Sequence, residues 1–151
     1  MKDQFTDHGI VVDNAIGFWI QRVYQATRSE MYRLFREQVG EEITPEQWMV
    51  LIRLWEHDAR TQAELCEVTL RDAPTMSRIV DGMERRGLLL RKPHPEDGRA
   101  RVLHLTRKGR ELEKKLVPVA RKLVNRLVAG ISEDDLVTTR ATLRKMFDNL
   151  S

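Results

Sequence analysis

Two short segments near the middle of the chain carry side chains that suit an anionic binding partner. In residues 74–78, small side chains, two hydroxyl groups and an arginine follow one another, and a second arginine lies two helical turns later. In residues 97–101, an aspartate precedes two arginines. A guanidinium group presents five N–H donors in a planar fork that fits phosphate oxygens. The residues of interest are Pro74, Thr75, Ser77, Arg78, Arg85, Asp97, Arg99 and Arg101.

Other kinds of chemistry lack the residues that they need. We find no nucleophile beside a base, no glycine-rich phosphate loop and no carboxylate pair, so we predict that the protein is not an enzyme and uses no cofactor. The single cysteine, Cys66, cannot form an internal disulfide, and the four histidines are not spaced as metal ligands. We therefore predict neither a metal site nor a disulfide-stabilised fold.

Positive charge is concentrated where the two segments lie. The 151 residues carry a net charge of only +3, with 41% hydrophobic and 32% charged residues, as in an ordinary globular protein. Residues 71–110 contain eleven Lys or Arg against five Asp or Glu, a balance of +6 that leaves −3 for the remainder. The middle of the chain is therefore a basic module between mildly acidic flanks.

The expected location of the protein is the cytoplasm. No stretch approaches the roughly 20 apolar residues that span a bilayer. The chain begins with acidic residues where a signal peptide has basic ones. We therefore expect neither a membrane span nor a targeting segment.

Two helices are predicted before the basic module. Apolar residues at helical spacing predict a long amphipathic helix over about 14–38. Thr44, followed by a proline and by Gln47, caps a second helix that runs to about His57. One face of this second helix is expected to be buried, and it consists of Trp48, Leu51, Ile52 and Trp55.

The basic module begins with two short helices. Thr61 and Gln62 open the first helix through a capping box, and Asp72 caps the second, which ends near Gly87. Two short helices joined by a tight turn form a helix-turn-helix. On a helical wheel, the side of the second helix opposite its apolar stripe consists of Pro74, Arg78, Asp81 and Arg85.

A β-hairpin follows the helix-turn-helix. Residues 88–92 and 101–105 each have the length of a strand, and the second alternates along its length. The intervening residues, 93–99, are rich in turn formers. We predict a hairpin with an exposed tip, which is a wing.

Two long amphipathic helices complete the chain. The first starts at Thr106, is expected to kink at Pro118 and stops near Gly130. A last helix follows, capped by Ser132. Long amphipathic helices at both ends of a small chain expose more apolar surface than one subunit can cover, so we predict a homodimer.

These elements define the expected fold class and domain organisation. The fold is mainly α with a small β-hairpin wing. A winged helix-turn-helix DNA-binding region of residues 41–105 is flanked by a helical dimerisation region of residues 1–40 and 106–151, and the two regions form one intertwined domain.

Double-stranded DNA is the anionic partner that this arrangement fits. A helix that enters the major groove needs small residues near its N-terminus, hydroxyls and arginines, and residues 74–78 supply all three. The amides of Thr61 and Gln62 suit a phosphate. Arg99 on a wing suits a narrow minor groove, and Asp97 is placed to orient Arg99 or Arg101. Two alternatives stay open: a polar helix face that meets only water, and an ordinary turn at the aspartate.

The two segments together resemble the MarR (multiple antibiotic resistance) family of winged helix-turn-helix regulators. Residues 73–88, APTMSRIVDGMERRGL, resemble the recognition helix of that family and its exit. Residues 97–109 resemble its wing motif, an Asp-x-Arg followed by Leu-Thr-x-x-Gly. The resemblance covers nearly the whole chain. It implies dimers that bind palindromic operators, with residues 74–78 in the major groove, Arg99 in the minor groove and an interface built from the first and the last two helices.

The resemblance also implies a small-molecule effector. Family members often release DNA when an aromatic or amphipathic molecule binds between the dimer helices and the DNA-binding lobe. The candidates for the walls of such a cleft are Trp19, Tyr24, Trp48 and Trp55. Trp48 and Trp55 share a helix face with Leu51 and Ile52, so the core is the favoured place for them and Trp19 is the favoured wall. Relatives that sense peroxide carry a cysteine in the first helix. Cys66 lies in the third helix instead, where a structural thiol is expected.

We therefore predict a homodimeric DNA-binding transcriptional regulator, with repression expected over activation. A winged helix that binds protein or RNA is the alternative, and it would not need an arginine on the wing. A steep loss of affinity as the salt concentration rises would distinguish a duplex binder from this alternative.

Overall fold

The computed structural model describes residues 5–6, 9–97 and 100–151. This part of the chain contains six α-helices, five short strands, a 3-10 turn at Val12–Asn14 and a π-helical turn at Phe35–Val39. The helices are α1 (Ile16–Leu34), α2 (Pro45–Glu56), α3 (Gln62–Thr69), α4 (Ala73–Arg85), α5 (Arg107–Leu127) and α6 (Glu133–Asp148). The strands are β1 (Phe5–Thr6), β2 (Gly9–Ile10), β3 (Arg60–Thr61), β4 (Leu89–Pro93) and β5 (Arg101–Leu105).

The predicted fold class is confirmed, and the helix starts follow the predicted caps. Thr44 and Thr61 each form a capping box. The threonine hydroxyl accepts a hydrogen bond from the amide of the third helical residue, and the side chain of that residue accepts one from the threonine amide. Asp72 and Ser132 each accept a hydrogen bond from the third residue after them. Short-range sequence motifs therefore determine where α2, α3, α4 and α6 begin.

The hydrophobic core lies inside the winged helix-turn-helix and extends into α5. The predicted buried face of α2 was partly wrong: Val50, Leu51 and Leu54 are the buried residues of that helix. Trp48 and Trp55 pack against the core but keep an exposed edge, because an indole is too large to be enclosed by this small lobe. The other buried members come from every neighbouring element, including Leu65, Met76, Val80, Met83, Leu88, Leu103, Leu112 and Leu116.

A three-stranded antiparallel sheet in the order β3-β5-β4 forms the wing and its base. The hairpin is confirmed, with Leu89 opposite Leu105 and Pro93 opposite Arg101. Strand β3 was not predicted: it pairs Thr61 with Val102, and a strand of two residues is too short to show an alternating pattern. Through this pairing the wing is attached directly to the start of α3.

A close backbone approach fixes the start of α5. The hydroxyl of Thr106 accepts a hydrogen bond from the amide of Gly109 at 3.1 Å and donates to the carbonyl oxygen of Gly87 at 2.6 Å. A Cβ atom on Gly109 would lie only 2.0 Å from the carbonyl oxygen of Leu88. The Leu-Thr-x-x-Gly motif is therefore explained: the threonine caps the helix, and only glycine lets the helix reach the end of the hairpin.

The terminal helices differ from the prediction in detail. The first predicted helix, over about 14–38, consists of α1 and the π-helical turn, and it ends at Gly40 in the left-handed conformation, where φ is 73°. Helix α5 continues past Pro118, and the kink there stays a prediction. The pairing of β1 with β2 near the N-terminus was not predicted.

Much of the apolar surface of the terminal helices is uncovered in a single chain. Helix α6, which is described throughout, has no fully buried residue. The side chain of Phe147 is 50% exposed and that of Ile16 is 45% exposed. Other exposed apolar residues of these helices are Ile20, Val23, Val124, Leu127, Leu143 and Leu150.

Candidate nucleic-acid interface

Helix α4 has one buried and one exposed face. Its strong amphipathic pattern buries Met76, Val80 and Met83. Pro74, Arg78 and Arg85 are exposed on the other side, while Thr75, Ser77 and Asp81 are half-buried at its edges. The outer face therefore presents the predicted combination of small, hydroxyl-bearing and cationic side chains.

The N-terminus of α4 is held by Asp72. Its carboxylate accepts from the amide of Thr75 at 2.7 Å and from the hydroxyl of the same residue at 2.9 Å. These hydrogen bonds lower the pKa of Asp72, because they stabilise the ionised form. Since the Thr75 hydroxyl already donates its hydrogen within the cap, it is available to a ligand mainly as an acceptor.

The two arginines on the outer face of α4 are available for contacts outside the chain. Neither Arg78 nor Arg85 has a carboxylate oxygen within 4.0 Å among the residues that the structure describes. Arg78 interacts with Asp72 only at longer range. Their donors are therefore not consumed by intramolecular ion pairs.

The start of α3 lies beside the returning strand of the wing. The predicted site at Thr61 is partly occupied, because Glu64 accepts from the Thr61 amide at 2.6 Å and from its hydroxyl at 2.8 Å. These bonds lower the pKa of Glu64. The amides of Gln62 and Ala63 are left as the candidates for a phosphate, and the Gln62 side chain donates to the carbonyl oxygen of Ala73 at 3.5 Å.

A shallow cavity of about 260 Å³ joins two of the predicted regions. Its walls are Thr61, Gln62, Ala63, Ala100 and Arg101. The exposed guanidinium of Arg101 and the positive end of α3 thus meet at one place, and that combination favours an anion.

The wing tip is organised by a histidine that sequence reasoning missed. The Nδ1 atom of His94 accepts from the amides of Glu96 and Asp97, each at 3.2 Å. The carbonyl oxygen of Asp97 accepts from the amide of Ala100 at 3.0 Å. Gly98 and Arg99 lie outside the described residues, so the predicted contact of Arg99 and its pairing with Asp97 stay predictions.

The base of the wing is tied to α5 through Asp58. Its carboxylate accepts from the amide of Leu105 at 2.8 Å and from Arg110 at 2.7 Å. Burial would raise the pKa of Asp58, but these donors outweigh burial and the pKa is lowered. The carboxylate therefore stays charged and fixes the angle at which the hairpin leaves the lobe.

Sequence reasoning also missed Arg91 on β4. Its guanidinium donates to Asp81 at 2.6 Å and to Glu84 at 2.5 Å, and both carboxylates belong to α4. No local motif reveals this contact, because the partners are ten and seven positions away and meet only when the hairpin folds back on the helix.

A cleft between α1 and the helix-turn-helix contains two of the three predicted ligand residues. Tyr24 and Trp48 line a cavity of about 160 Å³, and Tyr24 also lines an adjoining cavity of about 260 Å³ that reaches Met76 of α4. Trp19 lines neither cavity. Its indole donates to the carbonyl oxygen of Asp13 at 2.7 Å and packs edge-on against Phe18.

Charged groups lie across the same cleft. Arg28 donates to Glu46 at 2.5 Å and to the hydroxyl of Tyr24 at 3.0 Å. Arg71, in the turn before α4, lies 3.8 Å from the same carboxylate of Glu46. The cleft is therefore apolar, with two arginines and one glutamate at its rim. Cys66 is half-buried against the core, as expected of a structural thiol.

Together, the fold and the outer face of α4 define a winged helix-turn-helix DNA-binding protein. A sequence model described as the MarR family matches residues 43–100, which span the helix-turn-helix and most of the wing. The chain belongs to the MarR family. It is a DNA-binding transcriptional regulator and not an enzyme, as predicted.

Similarity to known proteins extends far beyond the matched segment. The chain is 28% identical to the transcriptional repressor NicR of Pseudomonas putida over 139 residues, which cover 91% of this chain and 85% of the relative. The chain is also similar to a probable transcriptional regulator from Pseudomonas aeruginosa whose crystal structure is known. The two sequences are 31% identical, the match covers 89% of this chain and 98% of that chain, and the TM-score is 0.75.

A second solved structure resembles the chain even more in shape. The PcaV transcriptional regulator of Streptomyces coelicolor, solved in complex with its natural ligand, is 26% identical with a TM-score of 0.81. The match covers 95% of this chain and 99% of that protein.

None of the helices that the structure describes has the length and the apolar character of a membrane span.

Proposed function

We propose that two copies of this chain form a dimer that represses transcription by binding a palindromic operator. The observation that carries this proposal is the outer face of α4. There Arg78 and Arg85 are exposed and form no ion pair with any described residue, and the opposite face of the helix is buried. A helix held so firmly can enter the major groove without unfolding. Repression is proposed because the relative NicR is a repressor.

Each part of the interface has a distinct role. Residues 74–78 and Arg85 contact base edges and the flanking phosphates in the major groove. The amides at the start of α3, with Thr61, Gln62 and Arg101 around them, bind one phosphate. Arg99 extends into the minor groove, and Asp97 directs the arginines of the wing.

Dimerisation explains the exposed apolar surface of the terminal helices. The domain organisation proposed here places the interface in residues 1–40 and 106–151, around the DNA-binding region of residues 41–105. Exposed side chains such as Phe147 and Leu143 would then be covered by the partner. A two-fold axis between the subunits presents two α4 helices to two half-sites, which is why a palindrome is expected.

Release from DNA is proposed to follow the binding of a small aromatic or amphipathic molecule in the cleft beside Tyr24 and Trp48. The cleft touches both α1 and Met76 of α4, so an occupant can change the position of the recognition helix. Arg28 and Arg71 both contact Glu46, and the three groups together keep one positive charge that would attract an acidic group on the ligand. A structural relative was solved with its natural ligand, which supports a ligand-regulated mode.

The test begins with duplexes selected by the protein from a random pool. Arg78→Ala is expected to weaken binding to a selected duplex by roughly 1–3 kcal/mol and to weaken binding to random duplex less. The control is Arg36→Ala, which removes the same charge from an exposed site on the π-helical turn and should leave both affinities unchanged. Equal losses on the two duplexes would make Arg78 a phosphate contact, and no loss would refute the proposed groove contact.

The effector is tested on the same complex by fluorescence anisotropy. A panel of phenolic compounds and aromatic acids is added, and a compound that releases the DNA is then applied to two variants. Tyr24→Ala should abolish the release, whereas Trp19→Ala should preserve it because Trp19 lies outside the cleft. The opposite pattern would move the ligand site to Trp19.

A further inference from the structure

Arg91 joins the two elements that the proposed function places on DNA. It lies on β4 of the wing, and its guanidinium bridges Asp81 and Glu84 on α4 at 2.6 and 2.5 Å. Its backbone amide also donates to Glu84 at 3.2 Å. The side chain of Arg91 is 21% exposed, so it is the most enclosed member of the three.

The position of Asp81 on the helix gives this bridge its meaning. Asp81 lies three residues after Arg78 and four before Arg85, which are the spacings at which opposite charges pair along a helix. Yet neither of those arginines is paired with it, because its carboxylate is turned toward the wing. Among the residues that the structure describes, Arg91 is the only cation within 4.0 Å of the Asp81 carboxylate, so its loss would leave Asp81 between the two arginines.

We propose that Arg91 is a specificity-determining positioning residue, which draws Asp81 and Glu84 aside so that Arg78 and Arg85 stay free to contact bases. This inference rests on the proposed docking of α4 in the major groove. Arg91 itself need not touch DNA. It acts on the two acidic residues: Asp81 would otherwise pair with Arg78 or Arg85, and both carboxylates would repel the phosphates beside them.

A purely structural clamp is the alternative, and charge-neutral variants distinguish it from the proposal. In the double variant Asp81→Asn with Glu84→Gln, the clamp is broken but no carboxylate remains to capture an arginine. The same holds when Arg91→Ala is added to that pair. Removing negative charge raises affinity for every duplex alike, so the informative quantity is the ratio of the affinities for selected and random duplex.

The experiment measures this ratio by fluorescence anisotropy at about 50 mM salt, where binding of both duplexes is strong enough to quantify. Arg91→Ala alone is expected to lower the ratio roughly tenfold, whereas the double and triple variants should stay within about threefold of the wild type. The control is Arg107→Ala, which breaks the exposed pair of Arg107 with Glu111 and should leave the ratio unchanged.

Each outcome decides the matter. The inference is overturned if the affinity ratio is low in the single, the double and the triple variant alike, or if Arg91→Ala leaves the ratio unchanged. If Arg91→Ala fails to fold, the double and triple variants still decide, because a structural clamp is missing in both. A wild-type protein that binds no duplex would instead refute the proposed function itself.

Discussion

The DNA-binding lobe and the terminal helices of this chain differ in how much of their apolar surface is buried. In the lobe, buried residues of α2, α3, α4 and the hairpin pack against each other and against α5 as far as Leu123. In α6, no residue is fully buried, and Phe147 is half exposed. The core of the lobe is therefore enclosed within one chain, whereas α6 and the outer faces of α1 and α5 expose apolar side chains that the proposed dimer would cover.

The largest expected effect comes from placing charge in that surface. Phe147→Asp combined with Leu143→Asp should prevent dimerisation, because a carboxylate cannot be buried unpaired in an apolar interface. Affinity for a palindromic duplex is then expected to fall at least about 100-fold, since two linked half-site contacts become one. Analytical ultracentrifugation and fluorescence anisotropy measure the two effects.

The matched control adds the same two carboxylates to the opposite side of α6. Thr138→Asp with Ala141→Asp lies on an exposed, polar face and should leave the dimer and its affinity intact. If both double variants behave alike, the apolar face of α6 is not the dimer interface.

Alanine substitutions at two glycines test whether the lobe is more tightly packed than α1. Gly109→Ala should lower the free energy of unfolding by roughly 1–3 kcal/mol, because its Cβ would lie 2.0 Å from the Leu88 carbonyl oxygen in a tightly packed lobe. Gly17→Ala on α1 meets nothing within 4 Å and should be neutral or stabilise by up to about 1 kcal/mol. Chemical denaturation of both variants is the measurement, and a Gly109→Ala protein as stable as Gly17→Ala would contradict the packing described.

Removing helix caps in the lobe and in α6 should show the same difference between the two regions, with smaller changes in stability. Thr44→Ala removes the cap of α2 inside the lobe and should lower the free energy of unfolding by about 1 kcal/mol. Ser132→Ala removes the cap of α6 and should act mainly on dimer dissociation, because α6 packs little on its own chain. Denaturation at two protein concentrations separates the effects. A purely unfolding effect of Ser132→Ala would place α6 in the lobe.

The smallest expected effect is a pH dependence at the tie between α1 and α5. Hydrogen bonds from Arg33 and Arg126 lower the pKa of Glu30 from 4.5 to about 2. Since the folded pKa is depressed, its contribution to stability is present above pH 4.5 and is lost as the pH falls toward 2. As the pH falls through this range, the free energy of unfolding should therefore decrease more for the wild type than for Glu30→Gln. If the free energy of unfolding changes with pH in the same way in both proteins, the lowered pKa of Glu30 is refuted.

Features set by neighbouring residues were predictable from the sequence, and features set by distant pairing were not. The caps at Thr44, Thr61 and Asp72 and the hairpin partners follow from local patterns, and the structure confirms them. Strand β3 and the bridge from Arg91 to α4 arise only when segments far apart in sequence meet.

The candidate site divides in the same way. The exposed face of α4 was predictable because helical periodicity determines which side chains lie opposite the core. The role of His94 in the turn depends on the local path of the backbone, which no periodic pattern encodes. Of the three predicted ligand residues, Tyr24 and Trp48 line one cavity, and their role in binding stays a prediction. Trp19 lies outside that cavity, and its indole N–H donates to the carbonyl oxygen of Asp13.

The most direct test of the central claim is a binding titration of the wild-type protein on a selected duplex, repeated at salt concentrations from about 50 to 200 mM. Two chains should saturate one duplex, and the affinity should fall by roughly 10³-fold or more over this range, because several phosphates are neutralised in each half-site. Absence of binding at the lowest salt, or saturation by a single chain with an affinity that salt does not change, would contradict a paired helix-in-groove regulator.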